Sequence, residues 1–146
     1  MTLYLDTSSL VKLYIAEPGS ELVRELVDQA VVVATSAIAY PETRAALARR
    51  RREGVLTPAV FAMAKRMFER DWPKYLAVDA SASICLAAGD LAERYRLRGF
   101  DSVHLASFLE VARRAGKAET RFSSHDARLN RAARAAARAL ARGRRA

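Results

Sequence analysis

Four acids stand apart from the solvated charges of this chain: Asp6, Glu42, Asp101 and Asp126. Asp6 closes the apolar run "LYL" and is followed by three hydroxyls, Thr7, Ser8 and Ser9. Glu42 lies in "SAIAYPETRAAL", Asp101 opens "DSVHLASFLEVARRAG", and Asp126 ends "FSSHD". Each has a local task open to it, since an Asp at a helix start caps the helix and favours its dipole. Two of them fit that task poorly. On a helix, Asp101 falls in line with Leu105, Phe108 and Ala112, and Glu42 with Ile38, Ala45 and Ala46. A carboxylate on an apolar face is costly unless a cation or a proton meets it. Several such groups at one edge would repel one another, and a hard divalent cation relieves that. Mg²⁺ and Mn²⁺ take carboxylate and water oxygens. Zinc is not indicated, because His104 and His125 are the only histidines and Cys85 is the only cysteine. A metal held by acids beside a basic surface suits phosphodiester hydrolysis, in which the ion activates water and steadies the leaving oxygen.

The basic surface is written at the C-terminus. The formal net charge is +9 and the pI about 10.4. Arginines at 128, 131, 134, 138, 142, 144 and 145 come with no acid after Asp126, and removing these seven from +9 leaves +2. Arg131, Arg134, Arg138, Arg142 and Arg145 step by three and four along one helical stripe, and Leu129, Ala133, Ala136 and Leu140 along another. The apolar stripe can dock while the arginines face a polyanion, either an RNA backbone or an acidic patch on a partner. The run Arg49–Arg52 points all round its helix and leaves part of itself for solvent or phosphate.

These groups need a frame. The length, 146 residues with 51% hydrophobic, predicts one domain with a sufficient core. A lone cysteine forms no internal disulfide, so the expected compartment is intracellular and cytoplasmic. No leader and no membrane span are expected. Leu3–Leu5, "AVVVATS", "KYLAV" and "TRFSS" read as strands. Helices are predicted around Leu10–Tyr14, from a Ser20 cap, through "PETRAALARRRREG" to Gly54, from a Thr57 cap with Pro58 next, from Ser81 to Tyr95, from Asp101 to Gly116, and from about 127 onward. Pro41 allows two starts for the second long helix: at Tyr40 with the proline in the first turn, or at Ser36 with a kink. Strands alternating with helices imply a parallel sheet covered on both faces, an α/β/α sandwich whose ligands bind at the carboxyl ends of the strands.

Four blocks, "YLDTSSLVKLY", "SAIAYPETRAAL", "RGFDSVHLAS" and "FSSHDARLNRAA", occur in order across the chain. Together they resemble the PIN-domain nucleases, specifically the VapC-type toxins of bacterial and archaeal toxin–antitoxin pairs. The resemblance implies a PIN-like three-layer fold spanning 1–146 and a Mg²⁺- or Mn²⁺-dependent endoribonuclease. It carries the family's acidic positions onto Asp6, Glu42, Asp101 and Asp126. Asp6 and Asp101 would be the core metal ligands, and Glu42 would bind metal directly or through water. Asp126 is the position that varies in the family. Ser124 and Thr7 would add hydroxyls, and His125 stands where an apolar or aromatic residue is expected. The resemblance also implies an RNA substrate, a homodimer and a small VapB-like antitoxin that covers the cleft. In this reading Ser8 or Ser9 caps the first helix, leaving Asp6 free for the ion.

Other residues take plainer readings. His104 reads as a half-buried histidine near the cleft, Cys85 as a small core residue, and Trp72 as loop packing. The sequence names no histidine partner for Ser8 or Ser9, so a Ser–His nucleophile is not indicated. Of the rival functions, a haloacid-dehalogenase-type phosphohydrolase needs a second acid two residues after Asp6, where Ser8 stands. A non-catalytic RNA- or protein-binding PIN-like module is the alternative, and it makes the four acids dispensable.

Overall fold

The computed structural model of the chain describes residues 1–142, with side chains through Leu140. Four strands, β1 (Thr2–Leu5), β2 (Val32–Ser36), β3 (Leu76–Val78) and β4 (Thr120–Ser123), form one wholly parallel sheet in the order β3-β2-β1-β4. Seven helices cover it: α1 (Thr7–Leu10), α2 (Ser20–Asp28), α3 (Ala39–Arg52), α4 (Pro58–Asp71), α5 (Ala82–Tyr95), α6 (Gly99–Ala115) and α7 (Ala127–Arg142). Because a strand's side chains alternate, β1 divides the core in two. Leu3 and Leu5 join Leu10, Val23, Leu47 and Phe68 on one face. Tyr4 joins Leu105, Phe108, Val111 and Leu129 on the other. The α/β/α sandwich read from the alternating pattern is the observed architecture. Among the described residues no helix is long and apolar enough to cross a membrane.

The sheet order decides where a site can form. The chain leaves β1 for β2 on one side and returns as β4 on the other, so the topological switch lies between β1 and β4. Their carboxyl ends are held together, with the Asp6 amide donating to the Ser123 carbonyl at 3.1 Å. Asp6 and Ser124 therefore sit side by side in the crevice.

Several local expectations change. Asp6, not Ser8 or Ser9, is the N-cap of α1: its Oδ1 accepts from the Ser9 amide at 3.0 Å. The candidate site carboxylate is thus also a helix cap. Helix α2 is entered through Gly19 at φ 92°, while the Ser20 hydroxyl turns back to the Ile15 carbonyl. Gly19 is required there twice over, since its backbone is left-handed and a Cβ would stand 2.5 Å from Nε2 of His125. Helix α3 starts at Ala39 with Pro41 in its first turn, settling the choice that Pro41 left open. Helix α6 starts at Gly99, two residues before Asp101, so Asp101 lies in the first turn and is not its cap. Cys85 is exposed and is not a core residue, because α5 turns Ala88 inward and leaves Cys85 and Leu86 outside. Trp72 packs as expected, against Phe68, Tyr40 and Tyr75.

Candidate functional site

Asp6 is the most enclosed of the four acids, at 4% exposure. Its Oδ1 accepts from the Ser8 hydroxyl at 2.7 Å as well as from the Ser9 amide, and its Oδ2 accepts from the Ser124 hydroxyl at 2.6 Å. All three donors are neutral. Burial pushes the Asp6 carboxyl up, and these hydrogen bonds only partly offset it. A carboxylate placed so is short of positive charge.

Glu42 sits in the first turn of α3, at the flank of the buried stripe Ala39, Thr43 and Leu47. Its expected neighbour Ala46 is half-buried, but Ala45 is exposed, so Glu42 faces the cleft rim and not the core. Its Oε1 accepts from the Thr7 hydroxyl at 2.6 Å and from His104 Nε2 at 2.9 Å. Burial pushes this carboxyl up, yet the bonds from His104 and Thr7, with the charge of Arg98, outweigh it and hold it below its ordinary value.

His104 is the residue that sequence reasoning undervalued. It is 2% exposed and lies between two polar groups, with Nδ1 3.0 Å from the hydroxyl of the fully buried Tyr4 and Nε2 on Glu42. The arrangement that satisfies every group has Tyr4 donating to Nδ1 and Nε2–H donating to Glu42, which defines the imidazole tautomer. The available signal was the spacing: His104 is three residues after Asp101, so both lie along one side of α6.

Asp101 and Asp126 meet through a cation. Arg98 Nε lies 3.1 Å from Asp101 Oδ2, and Arg98 Nη2 lies 4.0 Å from Asp126 Oδ2. Asp126 caps α7, accepting from the Leu129 amide at 2.8 Å. Ser124 ties it to Asp6, since the Ser124 hydroxyl also accepts from the Asp126 amide at 3.0 Å. His125 is woven into the same turn, its amide donating to Ser8 Oγ at 2.8 Å; its Nδ1 lies 3.1 Å from Ser9 Oγ, a histidine partner the sequence did not name, but Ser9 is fully buried and also bonded to Ser123. The structure thus links Asp6 to Asp126 through Ser124, Asp6 to Glu42 through adjacent Thr7, and Asp101 to Asp126 through Arg98. Asp101 follows no strand end; the left-handed break at Arg96 between α5 and α6 delivers it to the cleft.

As they stand, no three His, Cys, Asp or Glu side chains among the described residues form a ready metal cage. The donor set nevertheless fits a hard cation: carboxylate oxygens, one of them buried against neutral donors, with an arginine bridging two others where positive charge is wanted. Glu42 and Asp101 line a cleft of about 680 Å³ together with Arg98 and Phe100.

The outward arginines are placed as the stripe predicts. Arg131, Arg134 and Arg138 are exposed, while Leu129, Ala133 and Ala136 are buried. Arg144 and Arg145 lie outside the described residues, as does the side chain of Arg142. With Asp126 at the helix start, a rise of 1.5 Å per residue sets the three described arginines roughly 8–18 Å along α7 from Asp126.

Comparison with known proteins gives these features a context. The family model described as PIN domain matches residues 3–135. Two curated relatives come from Mycobacterium tuberculosis: Ribonuclease VapC45 of strain CDC 1551 / Oshkosh and Ribonuclease VapC49 of strain ATCC 25618 / H37Rv. Each is 44% identical to this chain over 108 residues, covering 74% of it and 75% of the relative.

Proposed function

Because this chain belongs to the PIN-domain family, we propose that it is a divalent-metal-dependent endoribonuclease, the toxin of a toxin–antitoxin pair. The observation that carries the reading is the match over residues 3–135, whose carboxyl-end crevice in this chain contains a buried aspartate with no cationic partner in contact among the described residues.

Asp6 and Asp101 would hold the ion, Glu42 would hold it directly or through water, and Asp126 would complete the set. Mg²⁺ or Mn²⁺, when bound, supplies an activated water and positive charge for the leaving oxygen. The chain's own residues do the rest. Ser8, Ser9 and Ser124 pin both oxygens of Asp6. Thr7 and His104 both act on Glu42 Oε1, orienting the carboxylate so that Oε2 can order the attacking water. Arg98, paired with Asp101 as the chain stands, would be free for the substrate phosphate where that carboxylate holds the ion. Arg131, Arg134 and Arg138 lead the RNA backbone away along α7. The family resemblance extends the proposal to a cytoplasmic homodimer held by a small VapB-like antitoxin.

The test is RNA cleavage with Mg²⁺ or Mn²⁺, before and after chelation, by wild type and by Asp6→Ala and Asp101→Asn. Cleavage lost on chelation and in both variants supports the reading. Equal cleavage by Asp101→Asn and wild type, or RNA bound but never cut, returns the chain to a binding role.

A further inference from the structure

Ten of the eleven aromatic side chains are buried or half-buried in the core. The exception is Phe100, at 65% exposure. Single exposed apolar residues are ordinary; the place of this one is not. Phe100 immediately precedes Asp101 and lines the cleft that Glu42, Arg98 and Asp101 also line. Across the same cleft run small residues of α5, among them Gly89 and Ala92. A Cβ built on Gly89 meets nothing within 4 Å, so the space is open there. The cleft volume, about 680 Å³, is in the range of small-molecule pockets.

We propose that this cleft is a nucleobase subsite: an unpaired base next to the scissile phosphate stacks on Phe100, with Arg98 on the adjoining phosphate. The proposal rests on the ribonuclease reading and adds a residue that positions the substrate for it. Any chain that presents a phosphodiester to Glu42 and Asp101 must pass the cleft, because those carboxylates are part of its wall. An apolar ring and small aliphatic residues offer nothing to a phosphate, but they suit the flat face of a base. Arg98, with its side chain 80% exposed, supplies the counter-charge two residues from Phe100. Stacking of this kind tolerates any base but needs a free face, which a continuous duplex does not offer.

The experiment uses the full-length protein and a short single-stranded RNA carrying one cleavage site, mapped by sequencing RNA ends. Two further substrates carry an abasic ribose on one or the other side of the cut. Phe100→Ala should lower kcat/KM on the intact RNA by about 5- to 100-fold, from the usual strength of base–aromatic stacking. One abasic substrate should cost wild type a similar factor and cost Phe100→Ala little more. Phe100→Trp should retain activity. Gly89→Leu, which fills the cleft and replaces a helix-interior glycine, should lose activity with its melting temperature unchanged or raised. The proposal is overturned if Phe100→Ala and Gly89→Leu cleave like wild type while Asp101→Asn is inactive. It is also overturned if Phe100→Ala changes only self-association in sedimentation, since the face would then be an interface between copies. If Asp101→Asn cleaves like wild type, the ribonuclease reading itself fails.

Discussion

The pair of bonds made by His104 can be taken apart one at a time. Asn at this position places its amide where Nδ1 was, so His104→Asn can still accept from Tyr4 but cannot reach Glu42. Gln places its amide where Nε2 was, so His104→Gln can still donate to Glu42 but leaves Tyr4. His104→Leu loses both. The Tyr4 hydroxyl lies on a fully buried residue, and leaving such a group unpaired costs about 1–3 kcal/mol. The bond to Glu42 is charge-assisted, worth about 1.5–3 kcal/mol, but the Glu42 side chain is 26% exposed and water can take over part of it. Its loss should therefore sit at the low end. His104→Leu is expected to lose about 2–4 kcal/mol of stability, a fall in Tm of roughly 5–15 °C for a chain of this size. The two polar variants should separate. His104→Gln should carry most of the stability loss and keep cleavage, while His104→Asn should stay near wild type in Tm and lose Mn²⁺-dependent cleavage. The assay is thermal unfolding by circular dichroism beside cleavage rates at saturating Mn²⁺. A double-mutant cycle with Glu42→Gln should give a coupling of about 0.5–3 kcal/mol in the cleavage barrier for His104→Asn. If the Asn and Gln variants lose stability and cleavage in parallel, His104 is a packing residue and the assignment of its two nitrogens is wrong.

Four other perturbations follow from the geometry. Asp6 has its carboxyl raised above the ordinary 3.8 by burial, so the folded chain takes that proton before the unfolded chain does as pH falls. Asp6 therefore costs stability at neutral pH, and the cost disappears as pH drops through its folded value; Asp6→Asn should raise the Tm of metal-free protein at pH 7 and show no such gain in acid. Mn²⁺ at a hundredfold over its dissociation constant should add about 2.7 kcal/mol to wild type and far less to Asp6→Asn, read as the Tm shift. Replacing Arg131, Arg134 and Arg138 together by Ala should flatten the salt dependence of RNA binding by about 2 in log Kobs against log salt, with little change in Tm; an unchanged slope would remove α7 from the RNA path. Gly19→Ala puts a Cβ against His125 in a left-handed backbone and should cost about 2–4 kcal/mol by denaturant titration, whereas Gly54→Ala, with open space around it, should cost only about 1–2.

Local chemistry made much of this protein legible from its residues. Alternating Leu3, Tyr4 and Leu5 already imply a strand buried on both faces, and the strand–helix alternation implies a parallel sheet with its sites at the carboxyl ends. Thr57 with Pro58 announced its helix and the Thr57 side chain caps as expected; the helix read from Ser81 also forms, with the Ser81 side chain as its cap. The arginine stripe of α7 was legible because helical periodicity alone decides which residues share a face. Other features needed distances between residues far apart in the chain. Asp6 serves as cap and buried carboxylate together, because Ser124, brought beside it by β1–β4 pairing, takes Oδ2 while Ser8 and Ser9 take Oδ1. Arg98 between Asp101 and Asp126, and His104 between Tyr4 and Glu42, join residues 28 and 62 or more positions apart, which no spacing rule reaches. Cys85 shows the same limit: an apolar setting in the chain did not tell which side of α5 would face the cleft and which the core. A sequence states the chemistry each residue carries and the faces it can share with near neighbours. Which partners satisfy a buried charge is decided only when the sheet order sets strand ends and helix starts side by side.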